Sequence, residues 1–312
     1  YKTRALMRID PEHAILKEAV VNPIFLGIEE DGTSIFAHDI SSWDVSSVTT
    51  MESMFEHAEA FDQPIGAWGS TTASVTTMES MFEAAYAFDQ NIGAWDTSNV
   101  TSMEEMFSKG GSNNMSFNNG GSPDIGNWDT SSVTTMVLMF YANYEFNQPL
   151  DNWNLSSATN ISGIFRGCRE FDQPLNTWNT SLITNMTGVF LNARKFNQPL
   201  DNWDVSKVTR MDDMFLNAFV FNENIDSWTV SNVTNMHDMF RGAKEFDRNI
   251  SGWITTSLEN ISGMFWDALE FNRNINSWDV SSVSNFGSMF SGATAMISNF
   301  GATANWNISP TA

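Results

Sequence analysis

Apolar residues recur along the chain at the spacing of a short amphipathic helix. In the first unit Met51, Met54, Phe55 and Ala58 fall at i, i+3, i+4 and i+7, which would place them on one helical face. Thr49 precedes this group and is followed three residues later by an acid, an arrangement typical of a helix N-cap and capping box. The pattern therefore predicts one short helix in each unit.

The units are marked by tryptophan. Eleven of the twelve Trp residues recur in one motif, and every step from Trp128 to Trp278 is 25 residues. When the register is numbered from this Trp as position 1, and a two-residue insertion between Trp68 and Val75 is left uncounted, position 13 is Phe in ten successive units. These residues are Phe55, Phe82, Phe107, Phe140, Phe165, Phe190, Phe215, Phe240, Phe265 and Phe290. Such a period is typical of stacked repeats, in which no unit can bury its apolar face alone.

A second apolar motif surrounds the Trp. Leu200, Trp203 and Val205 have the L-x-x-L-x-L spacing of leucine-rich-repeat strands. Position 22, just before this motif, is Pro in some units and Asn in others, which indicates a turn, because Pro would remove a ladder donor from a strand. We therefore predict an α/β repeat solenoid, a leucine-rich-repeat-like stack of about ten coils, each with a short strand and a short helix.

Three segments depart from the repeat. Residues 1–35 lie outside it, and Asp10 and Pro11 before the stretch HAILKEAVV predict an N-terminal helical cap, which leaves residues 36–312 to the solenoid. The segment 108–124 carries eight extra residues rich in Gly and Asn, and we expect a projecting loop, either a tolerated insertion or a recognition loop. No polar helix closes the C-terminal end, so either the chain continues or a partner covers the open strand edge.

The repeat text resembles a known family. The stretch SNVTNMHDMFRGAKEFDRNISGW (residues 231–253) and its copies are similar to the BspA-like leucine-rich surface-protein repeats, in the 25-residue type first named from Mycoplasma lipoproteins of unknown function. The resemblance covers about residues 36–306. It implies a right-handed leucine-rich solenoid, usually on a cell surface and used for adhesion or protein contacts. It provides no catalytic residues to transfer to this chain.

The chain is strongly acidic, with a formal net charge of −22 and a pI near 4.3. Binding to nucleic acids and to anionic membranes depends on Lys and Arg, so neither is an expected partner. The charge is also uneven. Between residues 18 and 165 Lys109 is the sole Lys or Arg against twenty acids, whereas ten of the fifteen Lys and Arg lie between residues 166 and 273. The sequence therefore predicts an acidic half and a mixed half.

The expected location is extracellular or at a cell surface. No run approaches the roughly 20 apolar residues of a membrane-spanning helix. No signal peptide precedes Tyr1, and the chain starts without Met, which is expected of a sequence from which a targeting segment has been removed or left out. An organelle lumen, reached after removal of such a segment, is the alternative location.

Cysteine and histidine offer little chemistry. Cys168 is alone, which excludes an internal disulfide and a multi-Cys zinc site, and it occupies position 16, where most units have Ala. It is predicted to be a small core residue rather than a nucleophile. The four histidines share no helix face and no ligand spacing, which argues against a metal site or a catalytic triad. They are His13, His38, His57 and His237.

The mixed half contains candidate residues for partner binding. Position 14 changes from Glu in the first units to large apolar residues in later ones. Interfaces favour apolar and aromatic anchors with Arg around them, although packing at the edge of a core is the alternative explanation. The candidate anchors are Leu191, Leu216, Phe219 and Trp266, and the candidate rim is Arg194, Lys195, Arg241 and Lys244.

Aspartates recur at positions 2 and 24, on the expected solvent side of the strands. Stacked carboxylates repel one another, so they either form a solvated face diluted by Asn, Ser and Thr or gather Ca²⁺ or a cationic partner. The candidate Ca²⁺ ligands are Asp44, Asp96, Asp129, Asp151, Asp201, Asp204 and Asp226. No other cofactor is expected.

These features predict a non-enzymatic repeat scaffold that binds another protein or a surface glycan. The chain lacks a recognisable set of nucleophile, base and oxyanion donors. The alternative is a Ca²⁺-dependent glycan-binding protein, or a structural rod that faces ice or a mineral with its Thr and Asp columns.

Overall fold

The computed structural model describes residues 39–110 and 115–300. Regular elements in these residues are short: the 3₁₀ segments Ile65–Ser74, Asn119–Gly121 and Pro123–Asn127, and the α-helix Thr294–Phe300. No β-strand lies within the same residues, where pairing consists of isolated bridges. The predicted α/β solenoid, with a strand and a helix in each coil, is therefore wrong. None of the described helices is long and apolar enough to cross a membrane.

The coils instead stack through parallel bridges at one register position, and a further bridge, Met115 with Asn143, joins the inserted segment to the fourth coil. Position 8 of each coil pairs with position 8 of the next, from Thr50 with Thr77 through to Asn260 with Asn285. The pairing therefore lies after the Trp around which a strand was predicted. The Trp itself is tied to the previous coil by its side chain, because Trp203 Nε1 donates a hydrogen bond to a main-chain carbonyl 28 residues earlier, at 3.0 Å.

The predicted helix is replaced by a run of turns. In the seventh coil the N–H groups of Met214 and Ala218 donate to carbonyls three residues back, at 3.3 and 3.0 Å. The N–H groups of Met211, Asp213 and Phe215 donate instead to carbonyls of the next coil, at 2.8–3.0 Å. An α-helix needs its N–H groups to bond four residues back within the same segment. Because alternate donors leave the segment here, a helix cannot form.

Backbone conformation gives the second reason for the correction. Position 11 has positive φ in all ten coils and position 15 in nine, as at Asp213 (φ 59°) and Asn217 (φ 56°). A residue in this left-handed region interrupts a right-handed helix. Two successive turns still bring positions 9, 12, 13 and 16 to one side, so the apolar spacing predicted burial correctly. In the seventh coil the fully buried residues at these positions are Met211, Met214, Phe215 and Ala218.

Aromatic columns fill the core. The ring centroid of Phe190 lies 3.9 Å from that of Phe196 in the same coil and 5.5 Å from that of Phe215 in the next coil. Trp178 and Trp203 form a parallel column with centroids 6.1 Å apart. The core predicted for the sixth coil is confirmed, since each of its residues is at most 2% exposed. These residues are Trp178, Ile183, Met186, Val189, Phe190, Ala193, Phe196 and Leu200.

The inserted segment 108–124 packs into the stack over its second half. Residues 111–114 lie outside the described part of the chain. Phe117, which follows them, is fully buried and stacks on Phe107 with centroids 3.8 Å apart. Asn119 is also buried, and its side-chain oxygen accepts a hydrogen bond from Ile92 N at 2.9 Å. This half of the segment therefore does not project as a loop.

The predicted ends of the repeat array cannot be compared with the structure. The N-terminal cap, residues 1–35, lies outside the described residues, as does the chain beyond residue 300.

One core position departs from the repeat. Asn143 occupies position 16 of the fourth coil, where most coils have Ala. Its side chain is fully buried, and neither Oδ1 nor Nδ2 has a hydrogen-bond partner within the described residues. A buried amide without a partner costs about 1–3 kcal/mol of stability. The fourth coil therefore contains a specific defect in the core.

Replacing Asn143 by the repeat's own residue should stabilise the protein. We expect Asn143→Ala to raise the free energy of unfolding by about 1–2 kcal/mol, because it removes an unpaired amide. Urea denaturation of the full chain measures this change. The reciprocal control, Ala193→Asn in the sixth coil, should lower stability. Destabilisation by Asn143→Ala would show that the amide is satisfied.

The left-handed turns can be tested with two glycines in neighbouring coils. Gly263 has φ +63° at position 11, and a Cβ there would overlap Asp238 Oδ1, whereas a Cβ on Gly252 would meet nothing within 4 Å. We expect Gly263→Ala to lower the free energy of unfolding by at least about 2 kcal/mol, from backbone strain and overlap together. Gly252→Ala should change it by less than about 0.5 kcal/mol. Equal effects of the two substitutions would contradict the turn assignment.

Candidate functional site

The candidate partner-binding residues lie in two columns, at register positions 14 and 17, with Lys195 at position 18. Leu191 is only 7% exposed and belongs largely to the core. Leu216, Phe219 and Trp266 are half-buried. Arg241, which lies between Leu216 and Trp266 at position 14, is half-buried too. The remaining cations, Arg194, Lys195 and Lys244, are exposed.

Cations in these columns cover aromatic rings of neighbouring coils. The guanidinium carbon of Arg241 lies 4.0 Å from the centroid of the Trp266 ring. The Phe219 ring is approached from both sides of the stack, by Lys244 Nζ at 4.7 Å and by the Arg194 guanidinium carbon at 5.3 Å. Each contact has the distance of a cation–π interaction. Three of the four predicted rim residues are therefore partners of predicted anchors, whereas Lys195 pairs with Glu170.

Sequence reasoning placed Tyr141 of the fourth coil at position 14 but missed its partner Arg166 and the pair of Tyr144 with Arg169. The Arg169 guanidinium carbon lies 3.6 Å from the Tyr144 ring centroid, and that of Arg166 lies 5.3 Å from the Tyr141 centroid. Leu269, the next member of the position-17 column, is 37% exposed. The available signal was the shared register, because residues 25 apart occupy adjacent coils.

We call these two columns together the mixed surface. Its position-14 members are Tyr141, Arg166, Leu191, Leu216, Arg241 and Trp266, and its position-17 members are Tyr144, Arg169, Arg194, Phe219, Lys244 and Leu269.

The first three coils instead carry a group of glutamates. Burial raises the pKa of Glu105, and the negative charges of Glu83 and Glu104 raise it further. Burial likewise raises the pKa of Glu79, with added repulsion from Glu104 and Glu52. Within the described residues no Lys or Arg forms an ion pair with any of these five acids. The group is therefore electrostatically strained at neutral pH.

The seven candidate Ca²⁺ ligands do not gather into one site. Asp44, Asp96, Asp129 and Asp204 each accept a hydrogen bond from the main-chain N–H of the Ser two residues later. Hydrogen bonds from that serine lower the pKa of Asp129 and of Asp204. Within the described residues, the group of acidic and His side chains at ligand distance contains none of the seven. The contacts that four of them make are those of turn-stabilising side chains.

The group at ligand distance is Asp213, His237 and Asp238, where the sequence predicted no histidine site. The three residues come from positions 10 and 11 of adjacent coils, and Asp213 N donates to the His237 carbonyl at 2.8 Å. Burial raises the pKa of Asp213, the charge of His237 lowers it, and Asp212 and Asp238 raise it. The stack thus brings together side chains that are 24 residues apart in sequence.

Cys168 is fully buried, and its thiol donates to the Phe140 carbonyl at 3.1 Å. Burial raises the pKa of this thiol well above its ordinary value. The thiolate that a nucleophile requires is therefore disfavoured. The prediction of a core residue is confirmed.

Comparison with known proteins identifies one family. A family model described as "Mycoplasma protein of unknown function, DUF285" matches residues 30–120, 112–225 and 184–306. The three matches overlap one another and together extend over most of the chain, in agreement with its repeated register. No curated protein matches the chain.

The strain among the glutamates should appear in the pH dependence of stability. A carboxyl whose pKa is raised in the folded state binds more protons there than in the unfolded state, so its penalty grows as pH rises through the interval between the unfolded and folded pKa values. We expect Glu105→Gln to raise the melting temperature at pH 7. This gain should diminish as pH falls through the raised pKa of Glu105 toward the ordinary Glu pKa of about 4.3, and should vanish below it, where the wild-type carboxyl is protonated in both states.

Thermal melts of the wild type and of Glu105→Gln measure the difference in melting temperature. They should run from about pH 3.5 to about pH 7.5, an interval that covers the titration of Glu. Glu145→Gln, at an exposed acid outside this group, is the matched control and should show little dependence on pH. A gain for Glu105→Gln that is constant across the pH range would contradict the electrostatic explanation.

Proposed function

The chain belongs to the family described as "Mycoplasma protein of unknown function, DUF285", and from this premise we propose that it is a non-enzymatic repeat scaffold that binds another protein through the mixed surface. We place it at a cell surface, because its repeats resemble in sequence those of the BspA-like surface proteins. The non-enzymatic assignment rests on the repeat text, which carries no convergent set of nucleophile, base and oxyanion donors.

The observation that supports this proposal is the chemistry of positions 14 and 17. The core requires aromatic or apolar residues at positions 1, 9, 12, 13, 19 and 23, but it makes no such demand at these two positions, which hold Glu56 in one coil and Trp266 in another. Large aromatic side chains that are half-exposed and flanked by Arg are typical of interface hot spots. We infer that these residues serve binding rather than stacking.

The cation–π contacts favour binding in a further way. A guanidinium held over a ring, as Arg241 is held over Trp266, loses less conformational entropy when a partner docks than a free Arg does. The planar group also keeps N–H donors at its edge for a partner's carboxylate or carbonyl oxygens. The surface is therefore suited to a protein partner that offers both apolar and acidic groups.

A second candidate function is a rod that faces ice or a mineral, and a column of threonines at position 7 favours it. Each hydroxyl donates to the main-chain carbonyl of the same position one coil earlier, at 3.0–3.3 Å. The exposed members are Thr76, Thr101, Thr134, Thr159, Thr184 and Thr209. This column does not include any residue of the mixed surface, so substitutions can separate the two functions.

The proposal predicts that Trp266→Ala weakens binding to a partner isolated from the source organism without unfolding the protein. Loss of a central aromatic anchor costs about 2 kcal/mol of binding free energy, or roughly 30-fold in Kd. Leu216→Glu should act in the same direction. Titration calorimetry with the purified partner measures the affinities, and thermal melts report folding.

Ile254→Ala is the matched control, because Ile254 is 59% exposed and lies at position 2, away from both columns. It should leave the Kd within about twofold, since it removes no contact of the mixed surface. Unchanged binding in both test variants, or an equal loss in the control, would exclude the mixed surface as the docking site. Unfolding of both test variants would assign Trp266 and Leu216 to stability instead.

A further inference from the structure

The cluster of Asp213, His237 and Asp238 has the chemistry of a metal site. One ligand atom from each residue lies within 4.8 Å of the other two. An imidazole nitrogen and two carboxylate oxygens form a donor set that zinc and related divalent transition metals accept. Because two of the three donors are acids and the third is an imidazole, an acidic patch alone does not describe the cluster.

The imidazole of His237 is held in one orientation. Its Nδ1 lies 3.0 Å from the Ser262 carbonyl and 2.8 Å from Ser262 Oγ, which itself donates to Asn260 Oδ1. A carbonyl can only accept, so Nδ1 carries the hydrogen and Nε2 of the neutral ring presents a lone pair. Ligating histidines commonly donate their other N–H to a backbone carbonyl in this way.

The lone pair of His237 Nε2 faces a carboxylate. Asp238 Oδ2 lies 3.5 Å away, and the lone pairs of a neutral ring and a carboxylate repel at this distance unless the ring gains a proton or a cation lies between them. If a metal ion sits about 2.1 Å from each atom, a separation of 3.5 Å corresponds to an angle of about 110° at the ion, which is close to tetrahedral. The separation of these two atoms therefore suits a shared ion.

Neither carboxylate of the cluster has its charge and hydrogen-bonding capacity fully compensated. The Asp238 side chain is 7% exposed, and its buried Oδ1 has no hydrogen-bond partner within the described residues. Its Oδ2 is bound by Arg241 Nη1 at 3.0 Å, which leaves the group only partly compensated. The half-buried Asp213 carboxylate forms no ion pair with the described Lys and Arg residues. Buried charge without full compensation is costly, and a cation would reduce that cost.

We propose that Asp213, His237 and Asp238 bind a divalent first-row transition metal, represented by Zn²⁺, with three protein ligands. The fourth position is open to water, because the His237 side chain is 44% exposed and gives access from solvent. The ligands are held by the turns of consecutive coils, since Asp213 N donates to His237 O at 2.8 Å and Asp238 N donates to Ser262 O at 2.9 Å. Such support on a rigid ladder preorganises the site.

The competing explanation is an ion pair between a protonated His237 and Asp238, with no metal. Titration of the metal-free full-length chain with Zn²⁺ by calorimetry at neutral pH distinguishes the two. We expect one tight site per chain, with Kd raised by about 100-fold or more in His237→Gln and by about tenfold in Asp213→Asn, because each loses one ligand. Co²⁺ should give the visible absorption bands of a four-coordinate site in the wild type but not in His237→Gln.

His57→Gln is the matched control, because His57 Nε2 also lies near an acid, Glu56, at 3.7 Å, but outside the cluster. It should bind Zn²⁺ as the wild type does. The proposal is overturned if the wild type shows no saturable binding, if His237→Gln and Asp213→Asn bind as tightly as the wild type, or if His57→Gln loses the site. Thermal melts of the metal-free variants verify that any loss of binding occurs in a folded protein.

Discussion

Hydrogen bonds from each coil to the next determine the rest of this structure. In the seventh coil the N–H groups of Met211, Asp213, Phe215 and Asn217 all donate to the coil that follows. Such donors are not available for an α-helix, so the chain closes tight turns between them and adopts positive φ at positions 11 and 15. The turns bring the apolar positions to one side, where the Phe and Trp columns exclude water. Equivalent outward positions of successive coils consequently form columns. The two columns of the mixed surface and the threonine column at position 7 are examples.

The sequence predicted the register and the core well, but not the backbone. Burial depends on which residues are apolar and how often they recur, and both are legible in residues such as Phe190 and Trp203. The i, i+3, i+4, i+7 spacing does not distinguish a helix from paired turns, since both bring these positions to one side. The positive φ at Leu138 and Glu105 has no signal in residue type, because neither residue favours that conformation. The bridge at position 8 was missed because that position holds Thr, Ser, Asn or Arg rather than an apolar residue.

In the candidate sites, too, single residues could be identified from the sequence, whereas the contacts between neighbouring coils could not. Trp266 and Leu216 were found from the sequence because they interrupt a position that is acidic elsewhere. The pairing of Arg241 with Trp266 was not, since it depends on the distance between neighbouring coils. His237 and Asp213 occupy different register positions of adjacent coils, so no spacing rule for helices or strands relates them. Their side chains come close only because the two coils are stacked directly on each other.

The bridge that recurs at position 8 has a consequence for how such a molecule changes in length. Because every coil is joined to its neighbour by the same pairing at position 8, a complete coil can be gained or lost by recombination between similar gene segments without altering the contacts of those that remain. Added residues are tolerated differently. The insertion before Phe117 falls in the part of the coil that follows the run of inter-coil donors, where it leaves the phase of the next bridge unchanged. The number of coils can therefore change in whole repeats while each remaining coil keeps its phase.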